Sequence, residues 1–292
     1  MDTTSQIIIS GLTLGAMYAI STVSLSLIWG ALNVLNMAQG ALLTFGGYAA
    51  YTASVAIGLN APLAILVAVV AGGAFGVIMY AVVIRHMLNR EGFEVNVIVA
   101  TIGIGMVLEA MLQKFYGAYP IRQPMTVDGG FFLGQTYVPF NSVIIVLVSC
   151  GLMLVLALLL ARTRMGRAIR AISQNRDAAR LMGVPVELVY AQVFAIAGGL
   201  SAASGIMLST ITTLAPTMGY DPMLKAFIIC VVAGLGNVMG ALYAAFLLGL
   251  FESTVQYALG VRFAFASMLL LVIIVLIWRP YGLFGRTRIT KL

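Results

Sequence analysis

From Thr3 to Ile84 the chain carries no Asp, Glu, Lys, Arg or His. At about 20 residues per membrane-spanning helix, that run alone holds three spans. The rest of the chain agrees with it. Soluble domains are about 25% charged, whereas these 292 residues are 9% charged and 62% hydrophobic, with a mean hydropathy of +1.07. The expected fold is all-α: a polytopic integral membrane helical bundle of about 8–10 spans, forming a single transmembrane domain over residues 1–292. The N-terminal residues MDTTSQIII lack a positively charged leader and a small-residue cleavage site, so the first apolar segment is expected to stay as a permanent span.

That first span, near 6–29, is rich in Gly, Ala, Ser and Thr, the composition that lets helices approach closely in lipid. Residues 30–40 follow, with Asn33, Asn36 and Gln39 in an uncharged membrane stretch. Amide side chains at bilayer depth need partners or water. Two readings are open: a broken or re-entrant segment lining a translocation path, or a turn between ordinary helices capped by Asn33 and Asn36. Further spans are expected near 41–57, 63–84, 95–115, 141–161, 188–212 and 263–278. The region 223–251 has Gly234-Leu235-Gly236-Asn237 in its middle and reads as a helix broken within the membrane. The candidate path residues are therefore Asn33, Asn36, Gln39, Gly40 and Asn237. A faint internal echo pairs Gly40-Ala41-Leu42 with Gly240-Ala241-Leu242 and fits duplicated halves.

Few chemical groups remain. His86 beside Arg85 reads as an interfacial residue, and Cys150 and Cys230 lie in apolar segments as small packing residues. Glu109, in a span, reads as interfacial with Lys114, and Glu252 likewise. No catalytic residues, metal cluster or phosphate loop is legible, and no enzyme is expected. The net charge of +7 marks sidedness and not nucleic acid. Arg85, Arg90, Arg162, Arg164, Arg167, Arg170, Arg176, Arg180, Arg279, Arg286, Arg288 and Lys291 fall on one side; Lys114, Arg122, Lys225 and Arg262 fall on the other. Positive residues gather on cytoplasmic loops. The C-terminus is expected to be cytoplasmic and the N-terminus periplasmic, with about nine passes if 223–251 crosses twice.

The densest basic stretch is Arg162 to Val186, RTRMGRAIRAISQNRDAARLMGVPV. Met165, Ala168, Ile169 and Ile172 recur at helical spacing while Arg164, Arg167 and Arg170 project elsewhere, which predicts an amphipathic helix outside the bilayer. Asn175 is an N-cap for a second short helix, with Asp177 in its first turn and Gly183 and Pro185 as a stop signal. A basic connector held to lipid headgroups would look similar.

Asp177-Ala178-Ala179-Arg180-Leu181-Met182-Gly183 resembles the acidic-Ala-Ala-x-x-x-Gly loop by which membrane subunits of ABC importers dock a short helix into their ATPase subunits. The Ile-x-Leu-Pro that often follows is absent. With these flanks and the stretch GLTLGAMYAISTVSLSLIWGALNVLNMAQGALLTFGGYAA, most of the chain resembles the permease subunits of branched-chain amino acid ABC importers. The resemblance includes residues 30–40 and so favours the path-lining reading there. It implies a cytoplasmic coupling loop at 162–186 engaging its ATPase through Arg176, Asp177, Ala178, Ala179 and Gly183. It also implies no cofactor in this chain, with ATP and Mg used by two ATP-binding partner subunits. A second permease chain, related or identical, a periplasmic solute-binding protein and the bilayer of a bacterial inner membrane complete the expected setting. The implied cargo is a branched-chain or similar hydrophobic amino acid, with urea, short amides or small organic acids as the family's alternatives. A secondary transporter or channel, drawing on Glu109 and Glu252 as membrane carboxylates, is the rival of another class. A structural membrane subunit of a larger complex is a further one.

Overall fold

The computed structural model describes residues 3–88, 92–133 and 136–285; Arg90, Arg286, Arg288 and Lys291, counted above for sidedness, lie outside them. The chain runs through α1 (Thr3–Leu32), α2 (Gln39–Val55) and α3 (Ala61–Met79), which passes by a π-helical turn (Tyr80–Ile84) into α4 (Arg85–Met87). Then come α5 (Phe93–Tyr116), a hairpin of β1 (Gly130–Leu133) and β2 (Thr136–Pro139), α6 (Phe140–Arg162), α7 (Arg164–Gln174) and α8 (Arg176–Leu181). The chain closes with α9 (Val186–Ile211), α10 (Tyr220–Ala233), α11 (Val238–Ala258) and α12 (Val261–Trp278). Among the described residues seven helices are long and apolar enough to cross a bilayer: α1, the rod from Ala61 to Met87, α5, α6, α9, α11 and α12. The molecule is a multi-pass membrane protein. Exposed aromatic residues gather near helix ends, with Phe115 and Tyr119 at one end and Trp278 and Tyr281 at the other, as in interfacial belts.

The core is the pair α1 and α9, the only two of the seven buried along most of their length. They run antiparallel: Ser24 Oγ donates to the Ala197 carbonyl at 2.8 Å, and Ser204 Oγ donates to that of Met17 at 3.3 Å. α2 and α3 pack on α9, while α10 and α11 pack on α1. Lipid supplies no hydrophobic drive between helices, so these seams depend on small residues. A Cβ on Gly205 would fall 1.7 Å from the Leu43 carbonyl oxygen, and one on Gly76 would fall 2.1 Å from that of Phe194. The aliphatic faces of α3, α5, α6 and α12 are left outward.

Two helices start inside the bundle. After α1 ends at Leu32, residues 33–38 turn back along it until Gln39 opens α2, its Nε2 donating to Ser24 Oγ at 3.0 Å. Ser24 is roughly 12 Å along α1 from Leu32, which is mid-depth in a hydrocarbon core of about 30 Å. Segment 30–40 is thus re-entrant and not a surface turn. In the second half, residues 212–219 dip from the end of α9 to Gly219, against Gly40, where α10 begins. The halves therefore repeat with inverted direction. The register differs from the echo read in the sequence, because Gly40 faces Gly219 and Gly240 instead lies under Phe284. The break at 234–237 also differs from expectation. Gly234 (φ +95°) and Gly236 (φ +82°) form a turn at the basic end of the bundle, beside Gly285 and Gly30, because positive φ and close backbone contact both need glycine there.

The connector 117–139 contains the β1–β2 hairpin, pairing Phe131 with Val138 and Phe132 with Tyr137. Alternating aromatic and branched residues explain it. Ile121 and Leu214 exchange backbone hydrogen bonds of 2.8 and 2.9 Å, fastening this connector to the dipping segment.

The glycine seams yield a stability test. Gly205→Val should destabilise the protein by at least about 1–3 kcal/mol, the cost of overpacking a tight core, read as a lower thermal midpoint in detergent. Gly151→Val, where a Cβ meets nothing within 4 Å, should leave the midpoint within about 1 kcal/mol of the parent's stability.

Candidate coupling loop and mid-depth cavity

The basic segment folds as its capping residues predict. Thr163 Oγ1 accepts from the Gly166 N–H at 3.2 Å and starts α7; Asn175 Oδ1 accepts from the Ala178 N–H at 3.0 Å and starts α8. Ile169 and Ile172 are buried against the bundle, and Met165 and Ala168 pack beside them. At the far end of α8, Gly183 (φ +81°) donates to the Arg180 carbonyl and Val184 donates to that of Ala179, each at 3.0 Å. This is a Schellman closure, and it needs a residue that tolerates the left-handed region. Two arginines clamp the loop to the helix ends it lies on. Arg170 Nη1 donates to the Leu160 carbonyl at 2.6 Å, and Arg176 Nη1 donates to that of Leu88 at 3.2 Å while its guanidinium stands 5.9 Å from the Tyr190 ring centroid. Arg85 and Glu187 add an ion pair of 2.8 Å, worth little on its own because both are exposed.

The loop's tip points away from the bundle. Leu181 and Met182 are 88% and 84% exposed. Asp177, Ala178 and Arg180 are exposed as well, whereas Ala179 is buried against the chain's own core. Of the five loop residues singled out from sequence, Asp177 and Ala178 are thus on the outer face. Arg176 and Ala179 seat the loop, and Gly183 ends its helix.

The path residues separate into two places. Asn33, at φ +56°, and Asn237 line a cleft of about 690 Å³ at the basic end, together with Trp29, Arg170 and Gln174. Asn237 also caps α11, accepting from the Gly240 N–H at 2.9 Å, and its Nδ2 donates to the Phe284 carbonyl at 2.8 Å. Asn36 and Gln39 are buried within the re-entrant segment. Asn36 Oδ1 accepts from the Ala38 N–H at 3.0 Å, and the Met37 N–H donates to Thr101 Oγ1 at 3.1 Å. These bonds satisfy backbone that lipid could not.

Gly40 lies in a separate mid-depth cavity of about 220 Å³, walled by Met37, Ile102, Met106, Pro216 and Met223. Into it project Glu109 and Tyr220, whose hydroxyl donates to Glu109 Oε2 at 2.6 Å. Glu109 is therefore not the interfacial partner of Lys114. Gly105, one turn before it, sits against Ala38 and Met37 of the re-entrant segment. Lys225 and Glu252 also depart from the interfacial reading. They form an ion pair of 2.5 Å among membrane-spanning helices, with Glu252 fully buried, Lys225 Nζ donating to Tyr18 Oη at 2.9 Å, and Gln256 Nε2 donating to Glu252 Oε1 at 3.0 Å. The spacing of residues 225 and 252 across two helices and a turn hid this pairing. The available signal was that an ionisable residue inside an apolar span calls for a partner. Among the described residues no group of three or more His, Cys, Asp or Glu is placed to hold a metal ion.

The buried pair makes a double-mutant test. Lys225→Met alone should destabilise by about 3–5 kcal/mol by stranding Glu252, and Lys225→Met with Glu252→Leu should recover most of that loss. Chemical or thermal unfolding in one detergent would measure both.

Over residues 7–278 the chain matches the family described as branched-chain amino acid transport system / permease component. The high-affinity branched-chain amino acid transport system permease protein BraD of Pseudomonas aeruginosa is 26% identical across 98% of this chain and 97% of its own length. LivH of Escherichia coli K12, described in the same terms, is 25% identical across 97% and 96%. A probable branched-chain amino acid transport permease protein of Methanocaldococcus jannaschii is 27% identical across 87% and 84%. These relatives are transport permeases and not enzymes. With the match running through both inverted halves and the capped loop between them, the chain belongs to the branched-chain amino acid transport system permease family.

Proposed function

We propose that this chain is the membrane-spanning permease subunit of an ATP-binding-cassette importer in a bacterial inner membrane. It passes branched-chain, hydrophobic amino acids delivered by a periplasmic solute-binding protein. Two ATP-binding subunits consume ATP and Mg and dock on α8, and a second permease chain, related or identical, completes the path. The basic end is cytoplasmic and the start of α1 periplasmic. The observation that carries this reading is the tip of α8: two large apolar side chains held out in water on a capped, clamped loop. Such exposure is costly unless a partner covers it, and a short helix set into a groove is a recurrent mode of recognition. Full-length similarity to amino-acid permeases supports the cargo.

In this scheme Gly40 lines the path at mid-depth and Asn33 and Asn237 line it at the cytoplasmic end. Asn36 and Gln39 hold the re-entrant segment between them. Glu109, Tyr220 and Asp221 are at least partly exposed at membrane depth, where lipid contact is costly. That face is therefore turned toward the second permease chain, with the cavity at Gly40 left between the two. The Lys225–Glu252 pair is the one feature that favours a secondary transporter, since such pairs serve ion coupling. Uptake driven by an ion gradient with no ATPase subunit present would establish that rival. A solute-binding partner specific for urea, a short amide or an organic acid would change the cargo and leave the machine intact.

The docking reading is tested on the exposed residues. Replacing Leu181 and Met182 together by Ser, or Ala178 by Trp, should cut amino-acid uptake by the assembled transporter about tenfold or more, the scale of losing a hot-spot contact. Protein levels in the membrane should be unchanged. Wild-type uptake and wild-type ATP hydrolysis in both variants would defeat the docking assignment.

A further inference from the structure

Glu109 is the one carboxylate, among the described residues, that lines the mid-depth cavity. Glu252 is neutralised by Lys225 and enclosed. Glu109 has the neutral Tyr220 hydroxyl for a partner and stands half-exposed in the cavity at Gly40. A carboxylate at mid-depth is costly unless a cation or water meets it. Apart from this pair the walls are mostly apolar and rich in methionine, with Met37, Met106 and Met223 joined by Ile102. Methionine is flexible and polarisable and packs against differently branched aliphatic groups with little strain. The cavity, about 220 Å³, equals roughly seven water volumes. That is room for a solute the size of one amino acid and not for a peptide.

We propose that Glu109 and Tyr220 bind the α-ammonium group of an aliphatic amino acid in transit, while its side chain rests against the methionine wall. The inference rests on the reading of the chain as an amino-acid permease and names the residues that select within it. The chemistry separates the candidate cargoes. An organic acid would meet a like charge at Glu109, and urea would leave the apolar wall unused. Urea can donate an N–H to Glu109, but only an ammonium group adds an opposite charge to that hydrogen bond. The first turn of α2 opens on the same cavity at Gly40 and Ala41, so the positive end of a helix dipole lies opposite Glu109 and suits the solute's carboxylate.

The test is uptake of radiolabelled leucine by vesicles carrying the whole transporter, with both permease chains, the ATPase subunits and the solute-binding protein. Glu109→Gln should lower uptake about tenfold or more, the scale of one lost charge-assisted hydrogen bond, with Tyr220→Phe giving a smaller loss. Glu109→Asp should restore most of the rate, and ATP hydrolysis stimulated by the solute-binding protein should persist in all three variants. Unchanged uptake in Glu109→Gln defeats the inference alone. Parallel loss of ATPase stimulation also defeats it, by making the pair an assembly contact. A wild-type transporter that takes up no leucine defeats the amino-acid reading and this inference together.

Discussion

In hydrocarbon each backbone N–H and C=O must find a partner within the protein, so a helix can begin at mid-depth only where other chain covers its first turn. Here two helices begin there, back to back. Gly40 and Gly219 are so close that a Cβ on Gly219 would lie 1.9 Å from the Gly40 carbonyl oxygen. The Thr44 hydroxyl joins them, donating to that carbonyl and accepting from the Gly219 N–H, each at 3.1 Å. Because α2 and α10 start at this contact, neither adds a full-length span. The space left on the outer side of their starts is the cavity that holds Glu109 and Tyr220. The cavity, with Glu109 and Tyr220 in it, thus lies beside one glycine contact braced by one threonine.

The helix α9 joins the loop to the helices around the cavity. α8 is clamped to the end of α4 by Arg176 and runs through Val186 into α9. α9 meets α2 at Gly205 and Gly46 and meets α1 at Ser201 and Ser204 with almost no slack. Close-packed interfaces of this kind shift between discrete arrangements and do not deform smoothly. In the proposed importer, a push on α8 is therefore delivered to α9 as a whole, and α9 carries it to the helix that opens the cavity. A loosely packed bundle of leucines would absorb the same push.

Much of this architecture was legible in the sequence, where a local pattern encodes it. Most spans followed from hydropathy, with observed ends close to the expected ones, whereas the span expected near 41–57 is α2, which begins at mid-depth and is no full-length span. Asn175 and Gly183 carry their capping roles in residue type alone. Three features were not legible, each because it depends on residues distant in the chain. The mid-depth break of the second half lies at 212–219 and not at the glycine-rich 234–237, since both stretches look like turns and only packing against Gly40 tells them apart. Lys225 and Glu252 looked like interface markers because nothing local joins them. Glu109 was paired with Lys114 by proximity in sequence, while its partner is Tyr220 on another helix.

A permease supplied by a binding protein faces a particular constraint, since a site that holds its solute tightly would stall it; conduction needs attraction enough to admit the solute and too little to keep it. In the proposed importer the mid-depth cavity suits that condition. It offers one carboxylate already shared with a tyrosine, a helix start and a wall of pliable thioethers, with no second fixed charge to close a clamp. Lys225, five residues further along α10 than Tyr220, is not among the cavity's lining and is paired with Glu252 and Tyr18. Were Lys225 free to face a solute's carboxylate while Glu109 faced its amine, the site would hold a zwitterion from both ends. In the proposed importer the buried ion pair thus holds this cation away from the solute, and it joins α10 to α11.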